Sequence, residues 1–420
     1  MSSSFYRVST ANMYDATLRN LSARQKSLVD LQENLTAGKR VVRPSDDPVA
    51  AAQAERALTR ISRIQTEQRA LDVQRNAIAQ AESTLGDAVG LVQEIRQLVV
   101  AAGGGALKPE DRKTYANQIQ SLREQLTQVI NRKDTNGVPL LGALGSALEP
   151  FTGPLLSNPD YLFAGLPGQA ASGGTSIPTT VDGHAALMFD PVRDGVYTAT
   201  VTRGAGSSLV TSAITTSNRE ALDGAQYALA VNTVTVDPVA GTTVVDYKLT
   251  KTAKDGTVTT SNVTTAPVKT GQPIPITINE GPDTVMSFSL TGTPAAGDSV
   301  SLQPSSSLMG TIDSAIRGIT DATDSVAASQ AVGQALANID AGMERLHNMR
   351  GYAGELLNRA DRITGDQDKR SIQLEADRSR AEDLDMVQGI SDFQNASVGY
   401  EAALKSYAQV QRLSLFNFIS

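Results

Sequence analysis

The chain has 420 residues, no cysteine, no tryptophan, two histidines and a net charge of −7, with a pI of about 5.1. Disulfides and thiolate metal centres are thereby excluded, His-based metal sites and triads are poor candidates, and the acidic balance argues against general nucleic-acid binding. The length suffices for two or more domains, with cores built on Leu, Ile, Val and Ala because aromatics are only 4%.

The first residues, Met1 to Arg7, lack a basic stretch followed by an apolar one. No cleaved signal peptide is expected. No run of about 18 apolar residues exists, so membrane insertion is not expected. The chain is therefore expected to be cytoplasmic or to leave the cell by a route that cleaves no signal.

Residues 10–36 carry Tyr14, Leu21, Leu28 and Leu35 at seven-residue spacing, with Leu18 and Leu31 beside them. Polar residues fill the rest, which predicts a helix with a narrow coiled-coil seam. Such a helix is marginal alone and needs a partner. Gly38 suits its C-terminal cap. The loop 39–47 ends on Ser45, Asp46 and Asp47, before Pro48. Asp47 suits an N-cap and Pro48 the first helical position. A paired-carboxylate role for Asp46 and Asp47 is the less favoured alternative.

From Pro48 to about Ala102, Ile64, Leu71, Ile78, Leu85, Val92 and Val99 keep the same spacing unbroken. This predicts one long helix, on the order of 80 Å at about 1.5 Å per residue, with Gly86 and Gly90 as points where it can bend. Glu110 and Asp111 mark the next helix start. Tyr115, Ile119, Leu122 and Leu126 follow at helical spacing, and Asn136-Gly137 marks a turn.

Composition then changes. Charges thin out between 150 and 305, and Thr, Gly, Val and Ser dominate. Period-two alternation at 196–201, 227–231, 244–249, 274–278 and 285–290 predicts strands. Asp255-Gly256 predicts a two-residue hairpin. The stretch is expected to form one or two small sandwich-like units. Arg203-Gly204-Ala205-Gly206 resembles a phosphate loop superficially but lacks the Walker spacing and its lysine; a β-turn is expected. Glycoside chemistry would need two facing carboxylates. Asp182, Asp190, Asp194, Asp237 and Asp246 are available, yet each reads equally well as a turn or strand-edge residue, and no enzyme or cofactor is expected.

Helical spacing resumes near Leu308, with Val332, Leu336, Ile339, Met343, Leu346, Ala353, Leu357 and Ala360, and Arg350 at a skipped position. His347 reads as a solvated helix flank and His184 as part of a turn. The last stretch, 384–419, places Met386, Phe393, Tyr400 and Tyr407 seven apart, with Val387, Ile390 and Leu404 widening the stripe. It continues through Leu413, Leu415, Phe416 and Phe418. The fold class expected is α plus a β insertion. A long antiparallel helical rod is built from both chain ends, with 10–36 packed on 384–412.

Several motifs resemble the flagellin superfamily. Arg7-Val8-Ser9-Thr10 with Met13 resembles its N-terminal start. Leu35 to Val41 followed by Pro44-Ser45-Asp46-Asp47-Pro48 resembles its helix–loop–helix signature. Asn136-Gly137 and Tyr161-Leu162-Phe163-Ala164-Gly165 resemble its turn into the outer domain, although residues 138–160 insert an extra loop between them. Leu413 to Ile419 resembles its C-terminal end. Within the superfamily the sequence looks more like the hook-associated protein 3 (hook–filament junction) family than flagellin, because Pro48 follows the paired aspartates.

The resemblance implies a structural subunit outside the cell in the bacterial flagellum, exported unfolded by type III secretion and assembled into a helical tube. It implies further copies, a neighbouring hook-associated protein and flagellin as partners, and an export chaperone on the C-terminal helix. The expected organisation is 1–47 and 384–420 as the inner tube wall, 48–140 and 306–383 as the two halves of a rod, and 141–305 as a β-rich outer domain. Alternatives are flagellin itself, or a secreted coiled-coil adhesin or injectisome tip protein.

Overall fold

The computed structural model describes residues 5–105, 107–155, 160–322 and 324–419; the side chains at 5–13, 410 and 412–419 lie outside that description. Long helices occupy both ends of the chain and antiparallel sheets lie between them in sequence. The chain divides into two compact units, one of residues 1–69 with 363–420 and one of residues 70–362.

The first three helices are α1 (Phe5–Ala37), α2 (Pro48–Ala102) and α3 (Pro109–Ile130). In α2 the heptad residues Leu71, Ile78, Leu85, Val92 and Val99 are fully buried in the larger unit. The helix runs through Gly86 and Gly90 without a break. A β-carbon at Gly86 would lie 3.6 Å from the Arg350 guanidinium, and Arg350 Nε donates to Glu82 at 2.7 Å. The residue at the skipped heptad position thus lies over a glycine, which leaves room for its planar head. Pro109 opens α3, and the Asp111 carboxylate accepts from the Lys108 amide at 3.3 Å.

The middle of the chain begins with a short hairpin, β1 (Phe151–Thr152) on β2 (Leu162–Phe163). Part of the extra loop expected between the two turn motifs is therefore regular structure. Three short helices follow, which periodicity did not signal: α4 (Gly183–Leu187), α5 (Pro191–Asp194) and α6 (Arg219–Leu222). Each starts on an Asp or Asn side chain that accepts backbone N–H groups, at Asp182, Asp190 and Asn218.

The remaining strands are β3 (Tyr197–Thr202), β4 (Val210–Thr211), β5 (Thr215–Thr216), β6 (Gln226–Asp237), β7 (Thr242–Thr252), β8 (Val258–Thr264), β9 (Val268–Lys269), β10 (Ile274–Glu280), β11 (Asp283–Thr291) and β12 (Ser299–Pro304). One sheet runs β3-β12-β6-β7-β8 with β9 on β7; the other runs β10-β11-β4 with β5 on β11. All pairings are antiparallel. Alternate residues of both sheets, among them Tyr227, Leu229, Val245, Ile276, Phe288 and Leu302, share one hydrophobic core. The Asp255-Gly256 turn joins β7 to β8, with Gly256 at φ 85° and the Asp255 carboxylate accepting from the Thr257 amide.

Three helices close the chain: α7 (Leu308–Thr320), α8 (Ser325–Glu382) and α9 (Met386–Ile419). Sequence spacing suggests one helix before the last, and the structure has two. Asp324 is the reason, since its carboxylate accepts from the Ala327 amide at 2.7 Å and caps a new start. In the larger unit, α3 and α7 are joined by a buried polar group. Arg123 Nε lies 2.9 Å from Asp313 Oδ1, and the Tyr161 hydroxyl donates to Asp313 Oδ2 at 2.6 Å.

Candidate assembly interface

The smaller unit brings the two ends of the chain together. Helix α1 packs along α9. Leu18, Leu21, Leu28, Leu31 and Leu35 of α1 are half-buried, as are Phe393, Ala396, Tyr400, Ala403 and Tyr407 of α9. At the far end Tyr14 and Tyr407 meet through their hydroxyls, 2.7 Å apart. Met386, expected in the seam itself, and Ile390 and Leu404, expected to widen the stripe, stay 46%, 46% and 40% exposed. Val387 is 82% exposed. At about 100° per residue, Ile390 and Val387 lie well round the helix from Tyr400, so α1 leaves them uncovered. The side chains of Leu413, Leu415, Phe416 and Phe418, expected in the same interface, lie outside the described residues.

Two glycines lie where α9 meets side chains of α1, and periodicity missed both. A β-carbon on Gly389 would meet Leu35 Cδ2 at 3.3 Å and Leu384 Cδ2 at 2.8 Å; one on Gly399 would meet Arg24 Nη1 at 2.8 Å. Gly389 falls on the α9 face that carries Tyr400, and Gly399 lies about 100° round from it, on the flank opposite Ile390. A helical glycine normally counts against a helix, which hides this packing role in a sequence.

At the other end of the seam the two connections pair. Lys39 and Asp383 form an antiparallel bridge. The Arg40 amide donates to Glu382 O at 2.8 Å, and the Leu384 amide to Gly38 O at 3.0 Å. Lys39 Nζ forms an ion pair with Glu382. Arg40 Nη2 donates to Ala381 O at 2.9 Å. Val41, Ala50, Ala54 and Ala381 pack into a small apolar cluster behind the crossing. Gly38 has φ 66°, a left-handed conformation that favours glycine.

The paired aspartates are both committed to this loop. Asp46 Oδ2 accepts from the Arg43 amide at 2.8 Å and the Val42 amide at 3.2 Å, while Ser45 Oγ donates to Asp46 Oδ1 at 3.4 Å. Asp47 Oδ1 accepts from the Ala50 amide at 3.0 Å and the Val49 amide at 3.2 Å, capping α2 at Pro48. The Ala50 amide, with the neighbouring Arg40 guanidinium, holds the Asp47 carboxyl below its ordinary range. Asp46 thus accepts amides of its own loop and Asp47 those at the start of α2.

Other candidates are similarly occupied. The glycine loop after β3 receives an internal carboxylate: buried Asp298 accepts from the Gly204 amide, Ser207 Oγ and the Ala295 amide at 2.7–2.8 Å. Asp182 and Asp190 cap short helices. Asp194 pairs with Arg193 at 2.7 Å. Asp237 accepts turn amides. Asp246 bridges Thr233 and Thr264. His184 sits in α4 with its ring 5.5 Å from that of Phe163, and burial lowers its pKa. His347 is an exposed residue of α8. Among the described residues no helix is long and apolar enough to cross a membrane.

Residues 8–144 match the bacterial flagellin N-terminal helical region, a span that holds most of α1, α2, α3 and the Asn136-Gly137 turn. Over 195 residues the chain is 29% identical to flagellar hook-associated protein 3 of Escherichia coli, covering 46% of this chain and 56% of that protein. Over 147 residues it is 32% identical to flagellar hook-associated protein 3 of Salmonella typhimurium, covering 34% and 46%. The chain thus spans about half the length of the curated relatives it matches. Its fold is similar to the crystal structure of flagellar hook-associated protein 3 from Legionella pneumophila, with a TM-score of 0.60 and 21% identity over 77% of this chain and 97% of that one.

Proposed function

We propose that this chain, which carries the flagellin N-terminal helical region and is similar to hook-associated protein 3, is the hook–filament junction subunit of a bacterial flagellum. The carrying observation is the pairing of the first helix with the last. It leaves the seam only half-buried and the α9 flank at Met386, Val387 and Ile390 uncovered. Full burial of a Leu-sized side chain stabilises by about 1.5–3 kcal/mol, and half-burial by roughly half of that. Ordering each residue costs about 1–2 kcal/mol of backbone entropy. The pair alone is therefore poorly stabilised, and neighbouring copies in a tube supply the missing cover.

On this reading residues 1–47 and 384–420 form the inner wall, and the β-rich residues 141–305 form the outer domain. The chain is exported unfolded, with an export chaperone on the C-terminal helix, and contacts another hook-associated protein on one side and flagellin on the other. No catalytic step belongs to this role.

Deletion of the gene tests the junction assignment. Cells are expected to make flagellin and shed it into the medium; cells that keep attached filaments would remove the assignment. Were the chain flagellin itself, the deletion would leave no flagellin to shed. Leu21→Asp and Phe393→Asp test the interface. Each variant is expected to be exported yet absent from the flagellum, and incorporation of either would show that the seam is not an assembly contact. For the chaperone, a pull-down should lose its partner when 384–420 is deleted.

A further inference from the structure

Tyr14 on α1 and Tyr407 on α9 are 393 residues apart in sequence, yet their hydroxyls are 2.7 Å apart. Their ring centroids are 5.8 Å apart with the planes tilted by 41°. Among the described residues these are the one pair of tyrosines in ring contact. Gln411 Nε2 donates to the Tyr407 oxygen at 3.3 Å, which helps fix that ring. The hydrogen bond with Tyr14 also raises the Tyr407 pKa, so the phenol keeps its proton at neutral pH.

Three further facts bear on what such a pair can do. Tyr14 is 41% exposed, so a small solute can reach it, whereas Tyr161, Tyr197, Tyr227 and Tyr247 are buried. The chain contains no cysteine and no tryptophan, so no thiol is present to quench a tyrosyl radical and no indole competes with the tyrosines for the oxidant. Both rings belong to one chain and meet whenever α1 packs along α9, so their encounter is intramolecular and does not depend on a second copy.

The geometry points to Tyr14 and Tyr407 as an oxidative cross-linking site, at which hydrogen peroxide and a haem-type one-electron catalyst join the two rings as dityrosine. Each phenol gives up one electron and its hydroxyl proton, leaving two phenoxyl radicals. The radicals couple through a ring carbon ortho to each oxygen, forming one carbon–carbon bond. The hydrogen on each coupled carbon then moves to the phenolic oxygen, which restores both hydroxyls. Two protons and two electrons leave the protein in total, and they reduce one hydrogen peroxide to two waters. The product ties the first helix to the last. It constrains the unfolded chain across nearly its whole length, as a disulfide does in chains that have thiols.

The test treats the purified full-length chain with hydrogen peroxide and microperoxidase, a haem peptide small enough to reach a half-exposed ring. Dityrosine fluorescence is expected to appear while the chain still migrates as a monomer on a denaturing gel. Mass spectrometry of the digest should find the peptide containing Tyr14 joined to that containing Tyr407, in a yield independent of protein concentration. Tyr14→Phe and Tyr407→Phe keep the ring and the helical circular dichroism, and each should lose this cross-link. Failure to form dityrosine, coupling of Tyr14 to other tyrosines in preference to Tyr407, or a yield that rises with protein concentration would each overturn the proposal. None of these outcomes bears on the junction assignment, which is tested in cells.

Discussion

Removing the Asp313 carboxylate should be among the most destabilising single changes in the larger unit. Asp313 lies on α7 with its side chain 7% exposed, 2.9 Å from Arg123 Nε on α3, whose own side chain is 13% exposed. The same carboxylate accepts the Tyr161 hydroxyl at 2.6 Å. Asp313→Ala leaves a buried guanidinium without its counter-charge and a buried phenol without its acceptor. Loss of one member of a buried pair costs about 3–5 kcal/mol, because the remaining charge is stranded. Tyr161→Phe removes one hydrogen bond to a charged group and should cost about 1.5–3 kcal/mol. Asp313→Asn keeps an acceptor for Tyr161 and should fall between them. Urea unfolding followed by circular dichroism measures all three, provided the slope with denaturant stays constant. If Asp313→Ala unfolds within about 1 kcal/mol of the parent, the contact between α3 and α7 rests on its apolar residues alone and the reasoning fails.

Four further expectations are open to simple measurements. Burial, with nearby carboxylates, raises the pKa of Tyr161, Tyr197 and Tyr227. Their contribution is fully present below the unfolded value of about 10 and is lost as pH rises above it, so their phenolate absorbance should appear only together with unfolding. The Asp47 carboxyl is held low chiefly by the Ala50 amide; its capping contribution is present above the ordinary carboxylate range and disappears as pH falls through the folded value, seen as fraying of the start of α2 by amide exchange. Gly38→Val places a β-branched residue at φ 66° and should destabilise the smaller unit by about 1–2 kcal/mol in thermal unfolding. Gly90→Ala fills open space in mid-helix and should stabilise by about 0.5–1 kcal/mol.

Much of the fold was legible because its signals are local and periodic. The heptad run from Ile64 to Val99 marked α2, and Asp47-Pro48 marked its start. Thr- and Val-rich alternation marked the sheets, since each strand shows one face to a shared core. What was hidden depends on contacts distant in sequence. Gly389 and Gly399 look like helix weaknesses until Leu35 and Arg24 are placed against them. Arg350 looks like an interruption until Gly86 and Glu82 accommodate it. Arg123 and Asp313 carry no motif and become a pair only when α3 meets α7. Helices as short as α4, α5 and α6 leave too few residues for a period to show. Of the candidate interface, the α1 leucines and the α9 aromatics were readable, whereas the exposed flank at Val387 and Ile390 could be recognised only once α1 was in place.

The paired connections beside the seam also make the smaller unit sensitive to chain length. Between α8 and α9 lie only residues 383–385, and the Asp385 carboxylate takes the Val387 and Gln388 amides to start α9. The bridge of Lys39 to Asp383 joins the chain just past the end of α1 to the chain just before the start of α9. Each residue added to or removed from such a linker turns the following helix by about 100°. One inserted residue after Asp383 would swing Phe393, Tyr400 and Tyr407 away from the α1 leucines while leaving every side chain chemically unchanged. Substitutions along the seam alter single contacts, but a length change here rotates the whole face at once. Natural variants are therefore expected to conserve the spacing between Glu382 and Phe393 more strictly than the identity of the residues that fill it.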